Sequence, residues 1–459
     1  MPTVQSPKVV ILGAGSLFFG RKAVWQMVHS PVLREGSLTL IDTDSDRLDR
    51  MKRLAERVIE HHRCPLTLEA STDRREVLAG ADFVVMAFAD RNAHFRGIDV
   101  EVSAKYGIRM CSGDTIGPGG IMRTCREYPH IVAAARDVER LCPEAWVVNY
   151  INPAAVHGIG LRRHFPRLKS LTLCDAQWHL ARKYADLIGV PEEDLTIRSA
   201  GPNHFTWLLQ AEHGGVDVLP RILDKLREND AQDANVQAQG SRSQAKGYRN
   251  NGIAIELHGA FGVLPTVLGH TKEYVRYYQH GGVTGTDRHP SLKLFEVPAR
   301  IAWTERVWAR VDDYLAGRVP IGEFDTEFGP DPATDLIEGM WANDGRGSGR
   351  RFFVNQMNQG AIPNMADDAF VELLSDVSMQ GVRPLPCPPM PRGVRGLCEQ
   401  ILDTHELTAE AVYRSDRGLL RRALLTDPLS SSIGDTDVMI DELMSLQRDA
   451  VSADWFVEG

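Results

Sequence analysis

The chain has 459 residues, 43% hydrophobic and 25% charged, with a formal net charge of −9. That length suggests two or three domains, or one large α/β core with additions, and it can bury a core without disulfide or metal staples. No run of about 18 apolar residues offers a membrane-spanning helix, and the acidic balance argues against a general nucleic-acid binder.

In chain order, the polar start Met1–Lys8 leads into a strand rather than a secretory signal. Lys8–Leu12 (KVVIL) is a short apolar, β-branched run that reads as a buried strand. Gly13-Ala14-Gly15-Ser16 follows, and a helical pattern runs from about Arg21 to His29. Leu38–Ile41 is a second strand ending at Asp42, and Arg47–His62 has helical spacing. Asp82–Ala89, Trp146–Ile151 and Leu171–Leu173 are further strands, each followed by a helix-like segment. Strands and helices alternating in this way predict a Rossmann-type α/β fold, a doubly wound parallel sheet covered on both faces. This region is expected to span residues 1–195. Residues 196–459 are then a substrate, metal and oligomerisation domain, α+β and mostly helical, with Ile401–Ala411 and Leu419–Leu425 as examples. Glu228–Gly252, rich in polar residues, reads as a loop or lid, and Pro384–Pro391 joins pieces of the second region. Seven cysteines, odd in number and spread from Cys64 to Cys398, make no disulfide framework. A reducing cytoplasm is the expected location.

The loop after the first strand carries the first chemical signal. Gly13-x-Gly15 follows a strand and opens a helix, the context a dinucleotide fingerprint requires. Glycines let the backbone approach a pyrophosphate, and the helix N-terminus supplies N–H donors. The third motif position is Phe18, a departure from the usual Gly or Ala. Asp42 ends strand two, where a carboxylate would bind ribose hydroxyls and favour NAD. Alone, these features describe a tight turn and a surface acid; in this order they favour cofactor binding.

Polar clusters at strand ends are the second signal, because ligands of open α/β sheets bind beyond the carboxyl ends of the strands. Asn149-Tyr150-Ile151-Asn152-Pro153, Cys174-Asp175 and Gly201-Pro202-Asn203-His204 are three of them. The fourth is the glycine-dense loop Ser112–Gly120, which holds Asp114 and feeds Arg123. Each has a bland reading: Cys174 is a small core hydrophobe, His204 a satisfied core histidine, Asp114 a helix cap. Gathered at one crevice, Cys and His would suit Mn, Fe, Co, Ni or Zn.

In these blocks the chain resembles glycoside hydrolase family 4, the NAD- and metal-dependent glycosidases on a lactate/malate dehydrogenase-like fold. GAGSLFFG resembles the family's cofactor loop, GDTIGPGGIMR its substrate loop and NYINPAAV its Asn-Pro signature. LCDAQ and GPNHFTW look like the metal-ligand segments, and HTKEY and NQGAIPNMADDAFVEL like later blocks. The run Gly119–Arg123 is closest to the α-galactosidase and α-galacturonidase branch.

The resemblance implies an NAD cradle of Gly13, Gly15, Ser16, Asp42 and Asn149. It implies Cys174 and His204 as ligands of Mn²⁺ or another divalent metal. Asp114, Arg123, Asn152 and Asn203 would contact the sugar, and Asp175 would protonate the leaving group. The reaction implied is cleavage of an α-glycoside by transient oxidation at C3, removal of the C2 proton, elimination, water addition and hydride return. This lies outside the usual two-carboxylate scheme. Many members place a tyrosine, the base at C2, shortly before the block resembling HTKEY. Here Phe261–Pro265 has none, which leaves Tyr248, Tyr274 or His270 for that role, with Tyr248 as the choice. Arg123, Lys246 and Arg249 would suit a uronide or another anionic sugar. An NAD-dependent sugar or 2-hydroxyacid dehydrogenase of the same fold is the alternative. A homodimer or homotetramer is expected.

Overall fold

The computed structural model describes residues 6–16, 19–238, 250–279, 292, 294–342 and 350–457. Its first part is a parallel sheet with alternating helices. The strands are β1 (Lys8–Leu12), β2 (Ser37–Ile41), β3 (Thr67–Ser71), β4 (Phe83–Met86), β5 (Trp146–Asn149) and β6 (Lys169–Thr172). Helices α1 (Gly20–His29), α2 (Ser45–His61), α3 (Arg74–Val77), α4 (Asn92–Lys105), α5 (Gly117–Leu141), α6 (Ala154–His164) and α7 (Leu180–Ile188) separate or follow them.

The spatial order β6-β5-β4-β1-β2-β3 is that of a doubly wound sheet, with its switch point between β1 and β4. Alternation along β1 explains the burial on both faces. Val9 and Ile11 join Val24 and Met27 of α1 and Leu48, Met51 and Leu54 of α2 in one core. Val10 and Leu12 face the other way, into a core with Ile121, Met122 and Cys125 of α5.

The chain then continues the same sheet with antiparallel strands. These are β7 (Leu195–Gly201), β8 (Trp207–His213), β9 (Val216–Asp217), β10 (Leu264–Pro265), β11 (Arg351–Met357), β12 (Phe370–Ser378) and β13 (Gly381–Pro384). Helices α8 (Leu219–Ala238), α9 (Asn250–Phe261), α10 (Val297–Leu315), α11 (Phe324–Glu327) and α12 (Pro332–Ala342) precede β11. A helical end follows: α13 (Arg392–Arg414), α14 (Arg417–Thr426) and α15 (Ile433–Leu446). The order β10-β8-β7-β12-β11-β6 joins this half to the first, and the seam is the single registered pair Asn355–Thr172. The two halves therefore share one 13-stranded sheet.

Register fixes where the chemistry lies. One residue row runs across nine strands: Ser71, Ile41, Leu12, Met86, Asn149, Thr172, Asn355, Glu372, Gly201. Gly13, Asp42, Tyr150, Cys174 and His204 all lie one to three residues beyond this row.

Two expectations need correction. The segment Glu228–Gly252 is not a loop throughout. Its first part continues α8, and α9 begins at Asn250; residues 239–249 lie outside the described residues. Ile222, Leu223 and Leu226 are buried and anchor the first turns of α8. Once nucleated there, the helix extends through polar residues by adding one hydrogen bond per residue. The C-terminal third is also less helical than its periodicity suggests, because β11 to β13 form a sheet extension. Among the described residues, no helix is long and apolar enough to cross a membrane.

Candidate active site

The glycine loop is shaped by backbone contacts. Gly13 has φ +90°, and a Cβ there would lie 2.7 Å from the Ala87 carbonyl oxygen. Gly13 and Ala14 both donate N–H to the Ile41 carbonyl, at 2.8 and 2.9 Å. Gly15 N donates to Asp42 Oδ2 at 2.8 Å, while Asp42 Oδ1 accepts from Asp44 N at 3.0 Å. Ser16 N donates to the Gly13 carbonyl, and the Ser16 carbonyl accepts from Gly20 N, which carries the turn into α1. Phe18, at the irregular third motif position, lies outside the described residues. The close approach comes two residues later: a Cβ on Gly20 would sit 2.3 Å from the Ala14 carbonyl oxygen. Gly20 thus performs the helix-against-loop packing usually assigned to the third glycine. Across the switch point, Asn149 is fully buried at the end of β5. Its Oδ1 accepts from Ile151 N at 3.3 Å, and its Nδ2 has no partner among the described residues.

Beyond β6 and β7, the loops converge. Cys174 Sγ and His204 Nε2 lie 3.2 Å apart, both buried. His204 sits in the left-handed region, φ +67°, a strained conformation that costs roughly 1–3 kcal/mol and concentrates at functional sites. Burial pushes the Cys174 thiol well above its ordinary value, and the nearby carboxylates of Glu372 and Asp175 add to this. Burial also pulls the His204 ring down, so it is neutral. Its Nδ1 has no partner among the described residues, and its ring centre lies 4.6 Å from that of His270. A soft sulfur and a borderline nitrogen, adjacent and desolvated, fit a transition-metal ion that would displace the thiol proton.

Around this pair, Asn203 donates to Glu372 Oε2 at 3.1 Å. Burial raises the Glu372 carboxyl to about 7. Beneath them, Gln177 Oε1 accepts from Ser199 Oγ at 2.6 Å and from Thr266 Oγ1 at 3.1 Å. Above them opens a cleft of about 420 Å³, lined by Asp175, Lys183, His204, Asn250 and His270 among others. Asp175 is exposed at its mouth.

A second cluster adjoins the first. Asp114 accepts from Arg123 Nη1 at 2.8 Å and from Ser112 Oγ at 2.7 Å, with Arg96 Nη2 at 3.2 Å. Burial alone would raise this carboxyl, but Arg96 and Arg123 overcome that and hold it below its ordinary range. Glu273 accepts backbone N–H bonds from Ser112 and Gly113, both at 2.8 Å, which fixes the loop. Arg300 of α10 feels Arg96, Asp114 and Arg123, yet no carboxylate among the described residues pairs with it. Asp114 in turn acts on both His204 and His270, so the two clusters adjoin.

The remaining candidates are less engaged or out of view. Asn152 is half-buried just before Pro153, the N-cap of α6. Tyr248 lies outside the described residues. Tyr274 is buried and donates to the Thr115 carbonyl at 3.3 Å, with its ring stacked near Phe205. Sequence reasoning missed Arg96, Gln177, Glu273 and Glu372. Glu273 and Glu372 fall within the later blocks HTKEY and DAFVEL, which was the available signal; Arg96 lies in no motif.

Fold and site together define a doubly wound α/β protein with a dinucleotide-type loop and an adjoining Cys–His pair at its strand ends. Residues 8–190 match the model of family 4 glycosyl hydrolase, and residues 199–430 match that family's C-terminal domain. The chain belongs to the family 4 glycosyl hydrolases and is a glycosidase. It is 26% identical to an alpha-galactosidase of Bacillus subtilis, over 98% of this chain and 99% of that protein. It is 28% identical to an alpha-galacturonidase of Thermoanaerobacterium saccharolyticum, over 80% of each. A solved 6-phospho-alpha-glucosidase from gut microorganisms, in complex with NAD and Mn²⁺, shares the fold. Its TM-score is 0.81 at 24% identity, covering 97% of this chain and 99% of that one.

Proposed function

We propose that this glycosidase depends on NAD and a divalent metal such as Mn²⁺ and cleaves an α-glycoside of an anionic sugar. The observation that carries the reading is the buried Cys174–His204 pair, 3.2 Å apart beside the cleft. The residues to hold NAD are Gly13, Gly15, Ser16, Asp42 and Asn149; the Asn149 Nδ2, without a partner among the described residues, and the close approach at Gly13 fit that group. When bound, NAD supplies hydride acceptance and return, and the metal supplies Lewis acidity toward the sugar oxygens.

The chain's own residues bind, orient and move protons. Asp175 protonates the departing glycosidic oxygen, a role its exposure in the lining of the cleft supports. Asn203, steadied by Glu372, and Asn152 orient the sugar. Asp114 and Arg123 hold it from the second cluster. Tyr248, which lies outside the described residues, is the proposed base at C2, on the resemblance of the sequence blocks alone. An anionic sugar is supported by Arg300, which feels Arg96 and Arg123 and has no carboxylate partner among the described residues.

The test is a panel of neutral, uronate, phosphorylated and sulfonated α- and β-glycosides in D₂O with NAD⁺ and Mn²⁺, read by NMR. Deuterium at C2 of the released sugar without NADH accumulation is expected. Cleavage without deuterium overturns the proton-abstraction step, and stoichiometric NADH favours a dehydrogenase.

A further inference from the structure

We infer that His29, His62 and Asp325 form a second metal site, for a dication such as Zn²⁺, separate from the catalytic cleft. The three come from different places in the fold. His29 ends α1, His62 caps the C-terminus of α2, and Asp325 lies in α11, more than 260 residues downstream of both.

The distances suit one ion. His62 Nε2 lies 2.9 Å and His29 Nε2 3.3 Å from the same carboxylate oxygen, Asp325 Oδ1. One ligand atom from each residue falls within 4.8 Å of the others. A tetrahedral zinc with bonds of about 2.0–2.2 Å separates its ligand atoms by roughly 3.3 Å.

His29 Nδ1 lies 2.8 Å from the Trp25 carbonyl oxygen. A carbonyl only accepts, so Nδ1 carries the proton. In a neutral ring, Nε2 is then a bare lone pair facing a carboxylate oxygen, acceptor against acceptor. A cation between them removes that conflict. The Nδ1–H···O=C bond is also the outer contact that metal-bound histidines usually make. Trp25 reinforces the arrangement: its ring stacks on His29 at 4.3 Å, and its Nε1 donates to the Asp325 carbonyl at 3.3 Å.

Location favours a cation too. Both histidines stand at helix C-termini, where the exposed carbonyls concentrate partial negative charge. The side chains are 25–28% exposed, so an ion can enter and water can complete its coordination. The site lies at the far end of α1 from the glycine loop, about 15 Å of helix away. A bound ion would tie α1 and α2 to the segment that follows α10, cross-linking distant parts of the chain.

The experiment uses the full chain carrying Cys174→Ser and His204→Ala, so that the catalytic pair cannot contribute. After chelator treatment, Zn²⁺ is titrated by calorimetry and the thermal midpoint is followed. One equivalent is expected, with a rise in midpoint. Adding His62→Ala or Asp325→Asn should abolish that equivalent or weaken it at least tenfold, and remove the rise. Absence of saturable binding in the natively folded background overturns the site, as does an equivalent that survives both further changes. Should the combined variants not fold, zinc-edge anomalous diffraction from zinc-soaked wild-type crystals decides. A peak between the three side chains supports the site, and none there refutes it.

Discussion

Replacing Asp114 by Asn removes the negative charge shared by the buried Arg123 and the half-buried Arg96, with almost no change in shape. Arg123 and Arg96 approach that carboxylate at 2.8 and 3.2 Å, and Asp114 and Arg123 are each 7% exposed. At an effective dielectric near 20, a contact of this kind is worth about 4 kcal/mol before desolvation is charged against it. Removing one partner of such a buried pair costs about 3–5 kcal/mol, because the remaining charges stay buried without compensation. Unfolding entropy of about 2.1 cal/mol/K per residue gives roughly 1 kcal/mol/K over this chain. The expected fall in thermal midpoint is therefore about 3–5 °C, measured without ligands by calorimetry and confirmed by urea denaturation. Arg96, Arg123 and Arg300 should then recruit an anion, so sulfate should restore more of the loss than chloride at equal ionic strength.

The pH dependence has a definite sign. Asp114 is held below its ordinary 3.8 in the folded chain. Its contribution is fully present above about pH 4 and is lost as pH falls below that, towards the folded value. The gap between wild type and Asp114→Asn should hold constant from pH 8 to 5 and narrow only below about pH 4. A variant within about 1 kcal/mol of wild type, with no preference for sulfate, would refute this account of the cluster.

Four further outcomes are expected. Cys174→Ser should abolish metal-dependent turnover while NAD titrations stay unchanged; full activity of the variant in EDTA would remove the metal assignment. Asp42→Ala should weaken NAD severalfold or more, since it also strips the acceptor from Gly15 N; an unaltered affinity counts against the ribose contact. Gly20→Val places a methine carbon 2.3 Å from a backbone carbonyl, so α1 must shift. A loss of about 1–3 kcal/mol together with weaker NAD binding should follow, and normal values for both would show that the loop yields freely. Asp175→Asn should slow glycosides with poor leaving groups more than activated aryl glycosides, and equal losses would end its role as the acid.

Most of the parallel half of the fold was readable because its central strands are buried on both faces. The edge strand β3, none of whose residues is buried, was not read from the sequence. Runs such as KVVIL and FVVM are continuous, and strict alternation with helices leaves little choice of topology. The antiparallel half hid its signal. In β12, the buried Glu372 and Ser375 interrupt the apolar run, and their partners include Asn203 in the loop after β7 and Gln356 in β11. Nothing local marks such a strand. The same logic divides the candidate site. Cys174, Asp175, Asn203 and His204 sit in short dense blocks at strand ends, and two of those blocks do meet. Arg96 is one arginine on a helix, and only the fold reveals that it faces the loop sixteen residues later. Gly20 shows a third case: the required glycine was present, two positions past the place where the motif is read.

The sheet order has a consequence for how this protein is made. Strands β6 and β7 are near neighbours in the chain, yet the hairpin of β11 and β12, about 150 residues later, stands between them. Emerging from the ribosome, the first 190 residues can assemble six parallel strands, with Cys174 already at an end. His204 follows soon after, but Glu372, the acceptor that steadies the neighbouring Asn203, arrives only with the late hairpin. A chain stopped before Arg351 has both donors of the pair and not the strands that set their spacing. Maturation of the catalytic cleft is thus tied to near-completion of the polypeptide, and a truncated product cannot act as a smaller version of the enzyme.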